Sequence, residues 1–171
     1  MVVQGIVLCL LLSFGYQDFK YRAIYFFCFP ILLILGVVVG MTMLPSEDLA
    51  TNTVWNLGFL LSQLLMLTVY FSIRQRGWVD ITKDLLGWGD VLFLVCSSTF
   101  FSPVNYLLFY VFSLFAVLLL VLFYRVTVKR KMSKIPLAGM QATIMGMLLI
   151  LDWNATSINA YNDDWFLQYF I

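Results

Sequence analysis

The sequence predicts an all-α polytopic membrane protein of about six transmembrane helices, and three observations lead there. The first is composition. Of 171 residues, 63% are hydrophobic and 11% charged, with a mean hydropathy of +0.95, whereas a soluble domain carries about 25% charged and about 45–50% apolar residues. So large an apolar surplus cannot be hidden in one core, and lipid must solvate much of the surface. The second is the presence of six apolar runs, at about 1–17, 24–44, 53–73, 87–103, 104–124 and 135–153. The third is the charge pattern: all ten basic residues fall between alternate runs, on one side of a six-span arrangement.

Each run is close to the roughly 17–25 residues that a helix needs to cross the hydrocarbon core. The first, Met1–Tyr16, has no basic residues before it and no small-residue cleavage site after it. It therefore reads as a span rather than a signal peptide. The fourth reaches spanning length only by including Asp90. Ser102-Pro103 separates the fourth run from the fifth by a tight turn, because proline cannot continue a helix normally. None of the runs alternates in the manner of a barrel strand. Residues 1–153 are thus expected to form one six-helix domain. Residues 154–171 follow as a tail whose Trp165, Phe166, Leu167, Tyr169, Phe170 and Ile171 suit the membrane interface.

Orientation follows from the charges. Lys20 and Arg22 follow the first run, Arg74, Arg76 and Lys83 the third, and Arg125, Lys129, Arg130, Lys131 and Lys134 the fifth. Glu47, Asp48, Asp152, Asp163 and Asp164 lie on the other side. The positive-inside rule then puts the basic loops in the cytoplasm and both termini outside it.

Several function classes are disfavoured. Near-zero net charge and the absence of histidine give no nucleic-acid footprint and no His-based metal site. Cys9, Cys28 and Cys96 are single residues within apolar runs, with neither a zinc spacing nor a disulfide framework. No metal or cofactor is expected.

Two aspartates stand apart from the solvated loop charges. Asp18 closes the first run, and Asp90 opens the fourth, followed at once by Val91-Leu92-Phe93-Leu94-Val95. In this topology both lie at the cytoplasmic edge of the hydrocarbon, where ionisable residues usually face the protein interior or a water-filled cavity and mark a site. Gly87-Trp88-Gly89-Asp90 sets two glycines beside one of them, permitting unusual backbone angles or the close approach of an extended peptide. As a plain structural reading, the same stretch is a helix start with a favourable acidic cap.

A carboxylate pair can hydrolyse an amide without a nucleophilic side chain. One, ionised, takes a proton from water; the other, protonated, polarises the carbonyl and helps the amine leave. Asp90 lies near a helix N-terminus, whose partial positive charge favours an anion, and Asp18 near a C-terminus. Asp90 is therefore expected to act as base and Asp18 to hold the proton.

Three stretches together resemble the type IV prepilin peptidases, membrane aspartyl proteases of the GxGD type. Asp18-Phe19-Lys20-Tyr21-Arg22-Ala23-Ile24 is similar to the family's first aspartate motif, and Gly87-Trp88-Gly89-Asp90 to its second. Ile135-Pro136-Leu137-Ala138-Gly139-Met140-Gln141-Ala142 resembles the proline-containing start of its last span. The resemblance covers nearly the whole chain. It implies catalytic Asp18 and Asp90, with Gly87, Gly89, Arg22 and Pro136 binding substrate or supporting the site. It also implies an inner-membrane location and pilin-like precursors as substrates, their basic leaders cleaved at the cytoplasmic edge. Tyr25 and Leu92 depart from the pattern, replacing a usual proline and lysine. The cysteine tetrads and methyltransferase part of longer relatives are missing, so this resembles the short form, without N-methylation.

Two other readings fit the aspartate pair. One is a presenilin-like intramembrane protease, although Gln17 separates Tyr16 from Asp18 where that kind usually has tyrosine directly before aspartate. The other is a small transporter or assembly scaffold whose acidic pair binds protons or cations. Beyond Ser62, Gln63, Gln141 and a few hydroxyls, the sequence contains no polar path for transport. The loop Arg74–Leu86 carries Trp78, Val79, Ile81, Leu85 and Leu86 among charges and could lie on the membrane surface, with Asp80 and Asp84 facing a basic leader.

Overall fold

A computed structural model of the chain describes residues 2–77, 86–128, 136–154 and 159–164. Most of the Arg74–Leu86 loop, the basic cluster Lys129–Lys134 and the tail aromatics from Trp165 onward lie outside the described residues.

Six helices account for nearly all of the described chain: α1 (Val2–Tyr21), α2 (Cys28–Met43), α3 (Ser46–Gln75), α4 (Trp88–Ser97), α5 (Pro103–Val128) and α6 (Leu137–Asn154). Local chemistry sets their ends. α1 stops where Arg22 turns left-handed, at φ 55°, with its N–H still bonded to Asp18 O. α2 accommodates Pro30 within its first turn, where proline removes no intrahelical bond. α3 carries Glu47 and Asp48 in its first turn, matching the positive end of the helix dipole. It closes at left-handed Arg76, with Gly77 N–H bonded back to Ser72 O. Pro103 opens α5, where its fixed φ suits the first helical position.

α1, α3 and α5 are long and apolar enough to cross a bilayer, which points to a membrane location. The fourth run behaves differently from expectation. It forms only the 10-residue helix α4, about 15 Å long at 1.5 Å per residue, against a hydrocarbon core of about 30 Å. Residues 98–101 leave the helix as turns and bends and are buried. Irregular backbone at membrane depth is tolerated only where protein covers it and satisfies its polar groups. Here Asn56, buried on α3, donates to Ser98 O at 2.9 Å and Phe101 O at 2.8 Å.

The tail fills in beside this break. Ala160 and Tyr161 are buried, and Ala160 O accepts the Ser102 N–H at 2.9 Å. Asp163 accepts from the Ser102 hydroxyl at 2.5 Å and from Val104 N–H at 3.3 Å, so it caps α5 from outside that helix. The Asn105 amide reaches the carbonyls of residues 159, 160 and 162, and Asp152 accepts the Ala160 N–H at 2.7 Å.

Close helix contacts depend on glycines. A Cβ on Gly36 of α2 would collide with Thr99 Oγ1 and sit 2.6 Å from a Phe100 ring carbon. One on Gly40 would meet Leu49 at 2.6 Å. α3 packs on α5, with Phe59 edge-on to Tyr106 and Tyr110 at 6.3 and 5.6 Å. The Tyr106 hydroxyl then ties α5 to α4 through Leu94 O at 2.9 Å. α6 packs most extensively on α1, in antiparallel fashion, because Gly146 lies beside Leu11 while Gly15 faces Thr143 and Gly139. This arrangement brings the end of α1, the start of α4 and the start of α6 together.

Candidate functional site

α6 begins with an unmet requirement. The first four N–H groups of a helix have no intrahelical acceptor, and a Ser, Thr, Asp or Asn at the N-cap usually supplies one. The residue in that position is Pro136, which is buried and has no side-chain acceptor. The second and third amides of α6 find acceptors on two other helices. Ala138 N–H donates to Asp90 Oδ1 at 2.8 Å, and Gly139 N–H to Asp18 Oδ2 at 2.7 Å. Because the two amides are consecutive, the two carboxylates stand side by side.

Asp90 is held twice. Its Oδ2 also accepts the N–H of Gly87, three residues earlier, at 3.2 Å, the backbone half of a capping box that starts α4. Asp90 thus accepts two backbone amides and Asp18 one. Asp18 is 8% exposed and Asp90 half-buried, so the pair sits at a margin rather than in the deep core.

Beneath the dyad lies an aromatic floor. Phe14 precedes Asp18 by one helical turn, and Phe93 follows Asp90 by nearly one, so each shares a face with its aspartate. Their rings meet at 5.8 Å, and Phe29 closes edge-on against Phe14 at 5.2 Å. All three are buried. These rings pack the helix faces that carry the two aspartates with apolar side chains. Near the aspartates in sequence, Tyr21, Tyr25, Phe26, Phe27 and Trp88 are exposed.

The supporting residues divide. Gly87 is tightly placed, since a Cβ there would lie 3.1 Å from Asp90 Oδ2. Its φ of −68° is ordinary, so its value is space and not an unusual backbone angle. Gly89 has only Phe29 Cζ near, at 3.8 Å, and nothing in the structure requires it to lack a side chain. Arg22 is exposed; it bonds Asp18 through its backbone N–H and acts on the carboxylate electrostatically. Pro136 serves by what it lacks, leaving the α6 amides to the aspartates.

Four contributors were not singled out from sequence: the Ala138 and Gly139 amides, the phenylalanine floor, and Gln17. The Gln17 amide oxygen accepts Tyr25 N–H at 3.0 Å, stitching the α1–α2 turn beside Asp18. Proline at a helix start without a capping side chain was the available signal for the amides. Among the described residues no group of three acidic, Cys or His side chains could hold a metal. Comparison with protein-family models, curated proteins and solved structures finds no match.

Proposed function

We propose that the chain is a membrane aspartyl endopeptidase in which Asp18 and Asp90 activate water against a peptide bond. The single observation that carries this reading is the convergence of two aspartates, 72 residues apart in sequence, onto adjacent amides of a third helix. Capping alone accounts for one bond to each aspartate, but two neighbouring carboxylates can also share protons in the way general acid–base hydrolysis uses. In this reading Asp90, holding two amide donors, is the base that takes a proton from water. Asp18 keeps the shared proton, donates it toward the carbonyl oxygen and then assists departure of the amine.

By the positive-inside rule the dyad lies at the cytoplasmic edge of a cell's inner membrane, with both termini on the other side. The resemblance in the three motifs suggests pilin-like precursors with basic leaders as substrates. The exposed aromatic residues Tyr21, Tyr25, Phe26, Phe27 and Trp88 suit a peptide that approaches along the membrane surface.

A second reading, a proton- or cation-binding transporter or scaffold, draws on Gln141. It is fully buried one turn beyond the dyad amides, bonds Ser113 at 3.2 Å and has an amide oxygen without a partner among the described residues. The phenylalanine floor argues against a continuous polar path from the dyad.

The test is to co-express the protein with candidate pilin-like precursors of the same genome and compare it with Asp18→Asn and Asp90→Asn. Processing by the wild type that either substitution abolishes is the expected result. Processing that survives either one removes the dyad mechanism, and proton-coupled flux without any processing favours transport.

A further inference from the structure

The geometry points to Gly139 as a positioning residue for the aspartate pair: the Ala138-Gly139 step of α6 is a ruler that assigns one amide to each carboxylate. The inference rests on the peptidase reading for its consequence in catalysis, but its geometry stands apart from that reading.

A Cβ on Gly139 would lie 2.8 Å from Asp18 Cβ, 3.0 Å from Asp18 Oδ2 and 3.4 Å from Asp18 Cγ. The first contact is with the root of the side chain. Asp18 could not relieve it by rotating a flexible end, so α1 or the carboxylate as a whole must move. The same helix pair is close one turn deeper, where a Cβ on Gly15 would be 3.2 Å from Thr143 Cγ2 and 3.8 Å from Gly139 O. Further along, Gly146 has only ordinary contacts with Leu11 and Leu8, at 3.8 and 4.0 Å. The crossing is therefore tightest at the dyad and relaxes away from it. Small residues let helix backbones approach where hydrocarbon supplies no hydrophobic drive. Here the approach is tight where a carboxylate must reach a backbone N–H.

Helix geometry supplies the rest. Consecutive amides of a first turn point the same way along the axis but differ by about 100° in azimuth. Asp90 from α4 and Asp18 from α1 can each take one without competing. Moving α1 outward would leave Gly139 N–H without its acceptor while Ala138 keeps Asp90, and the pair would lose its spacing. A misplacement of about 1 Å in a catalytic group can cost about 100-fold in rate.

The experiment has two arms, both on the full chain in detergent micelles. In the first, amide resonances of uniformly 15N-labelled protein are compared among wild type, Asp18→Asn and Asp90→Asn. Asp18→Asn should move the Gly139 amide far more than that of residue 138, and Asp90→Asn the reverse. Equal or crossed responses overturn the one-to-one assignment whether or not the protein cleaves anything. In the second arm, precursor processing is measured for Gly139→Ala and, as a control on the same interface, Gly146→Ala. Alanine is the better helix former by about 1 kcal/mol, so α6 itself is not weakened, and helicity and thermal stability are recorded for both. Gly139→Ala should lower kcat by about 100-fold with KM little changed, while Gly146→Ala processes normally. A Gly139→Ala protein that processes like wild type overturns the positioning role and leaves the peptidase reading intact. A wild type that cleaves no precursor, together with one-to-one amide responses, removes the peptidase reading and leaves the ruler standing.

Discussion

At the scale of single residues, the two aspartates do two jobs in one geometry. Each accepts an α6 amide that Pro136 cannot cap, so each is a helix cap supplied in trans as well as a candidate acid or base. The jobs separate by substitution. Asparagine caps about as well as aspartate, whereas an apolar residue forfeits about 1 kcal/mol. Asp18→Asn and Asp90→Asn should therefore unfold near the wild-type midpoint in detergent while losing processing. Asp18→Leu and Asp90→Leu should each unfold earlier, and equal midpoints for Asn and Leu variants would refute the capping role. Tyr161 offers a second test. It is buried, and its hydroxyl has no partner among the described residues. Burial, with the Asp152 carboxylate as a lesser cause, raises it above its ordinary value of 10.0. A raised folded-state value contributes stability that is complete below the unfolded value and is lost as pH rises toward the folded one. Stability to thermal unfolding should thus fall above about pH 10 in wild type. In Tyr161→Phe that part of the alkaline loss should vanish, with no cost at neutral pH.

At the scale of elements, α4 is the informative one. The hydrophobic run that predicted a span over 87–103 is real, yet the helix ends at Ser97 and buried turns follow. Periodicity and length could not reveal this, because Cys96-Ser97-Ser98-Thr99-Phe100-Phe101 is as compatible with helix as with a covered bend. What decides it is Asn56, forty-two residues away from Ser98, whose amide satisfies two carbonyls of the bend. Replacing Asn56 by leucine leaves both without that donor, at about 1–3 kcal/mol for each buried group stranded. A large drop in the unfolding midpoint of Asn56→Leu is expected, with a far smaller one for Ser62→Leu on the exposed face of the same helix. The glycines of α2 belong to this scale too. Gly36→Val should overpack the Thr99–Phe100 bend and destabilise by about 1–3 kcal/mol, measured in the same unfolding assay.

At the scale of the whole molecule, the predicted orientation puts the dyad and the described basic residues at one end. Lys20 and Arg22 close α1, and Arg74 and Arg76 close α3. Glu47, Asp48, Asp152 and Asp163 lie at the other end, where the tail docks on Ser102 and Asn105. Cysteines introduced at Arg76 and Glu47, in a Cys9→Ser, Cys28→Ser, Cys96→Ser background, should react with an impermeant maleimide from opposite sides. Labelling of Arg76→Cys from outside intact cells would reverse the orientation and move the dyad to the other face. The aromatic residues from Trp165 onward, on which the interfacial reading of the tail rests, lie outside the described residues. The described part, 159–164, is tied by hydrogen bonds to Ser102, Asn105 and Asp152.

Composition and charge placement by themselves determined that the chain is helical, apolar and suited to a membrane, and they singled out Asp18 and Asp90. Those are properties of local runs: lipid solvation depends on length and polarity within one segment, and a lone carboxylate in an apolar run is conspicuous without any partner. Tertiary structure alone decided that the two carboxylates meet, that they meet on Ala138 and Gly139, and that the fourth run forms a short helix followed by a bend that Asn56 satisfies. Those facts depend on which backbone groups are left without acceptors and on which distant residue reaches them. Gly139 shows the division most plainly. Its place in a motif was visible in the sequence, but the 2.8 Å between its absent side chain and Asp18 Cβ exists only once α1 and α6 have packed.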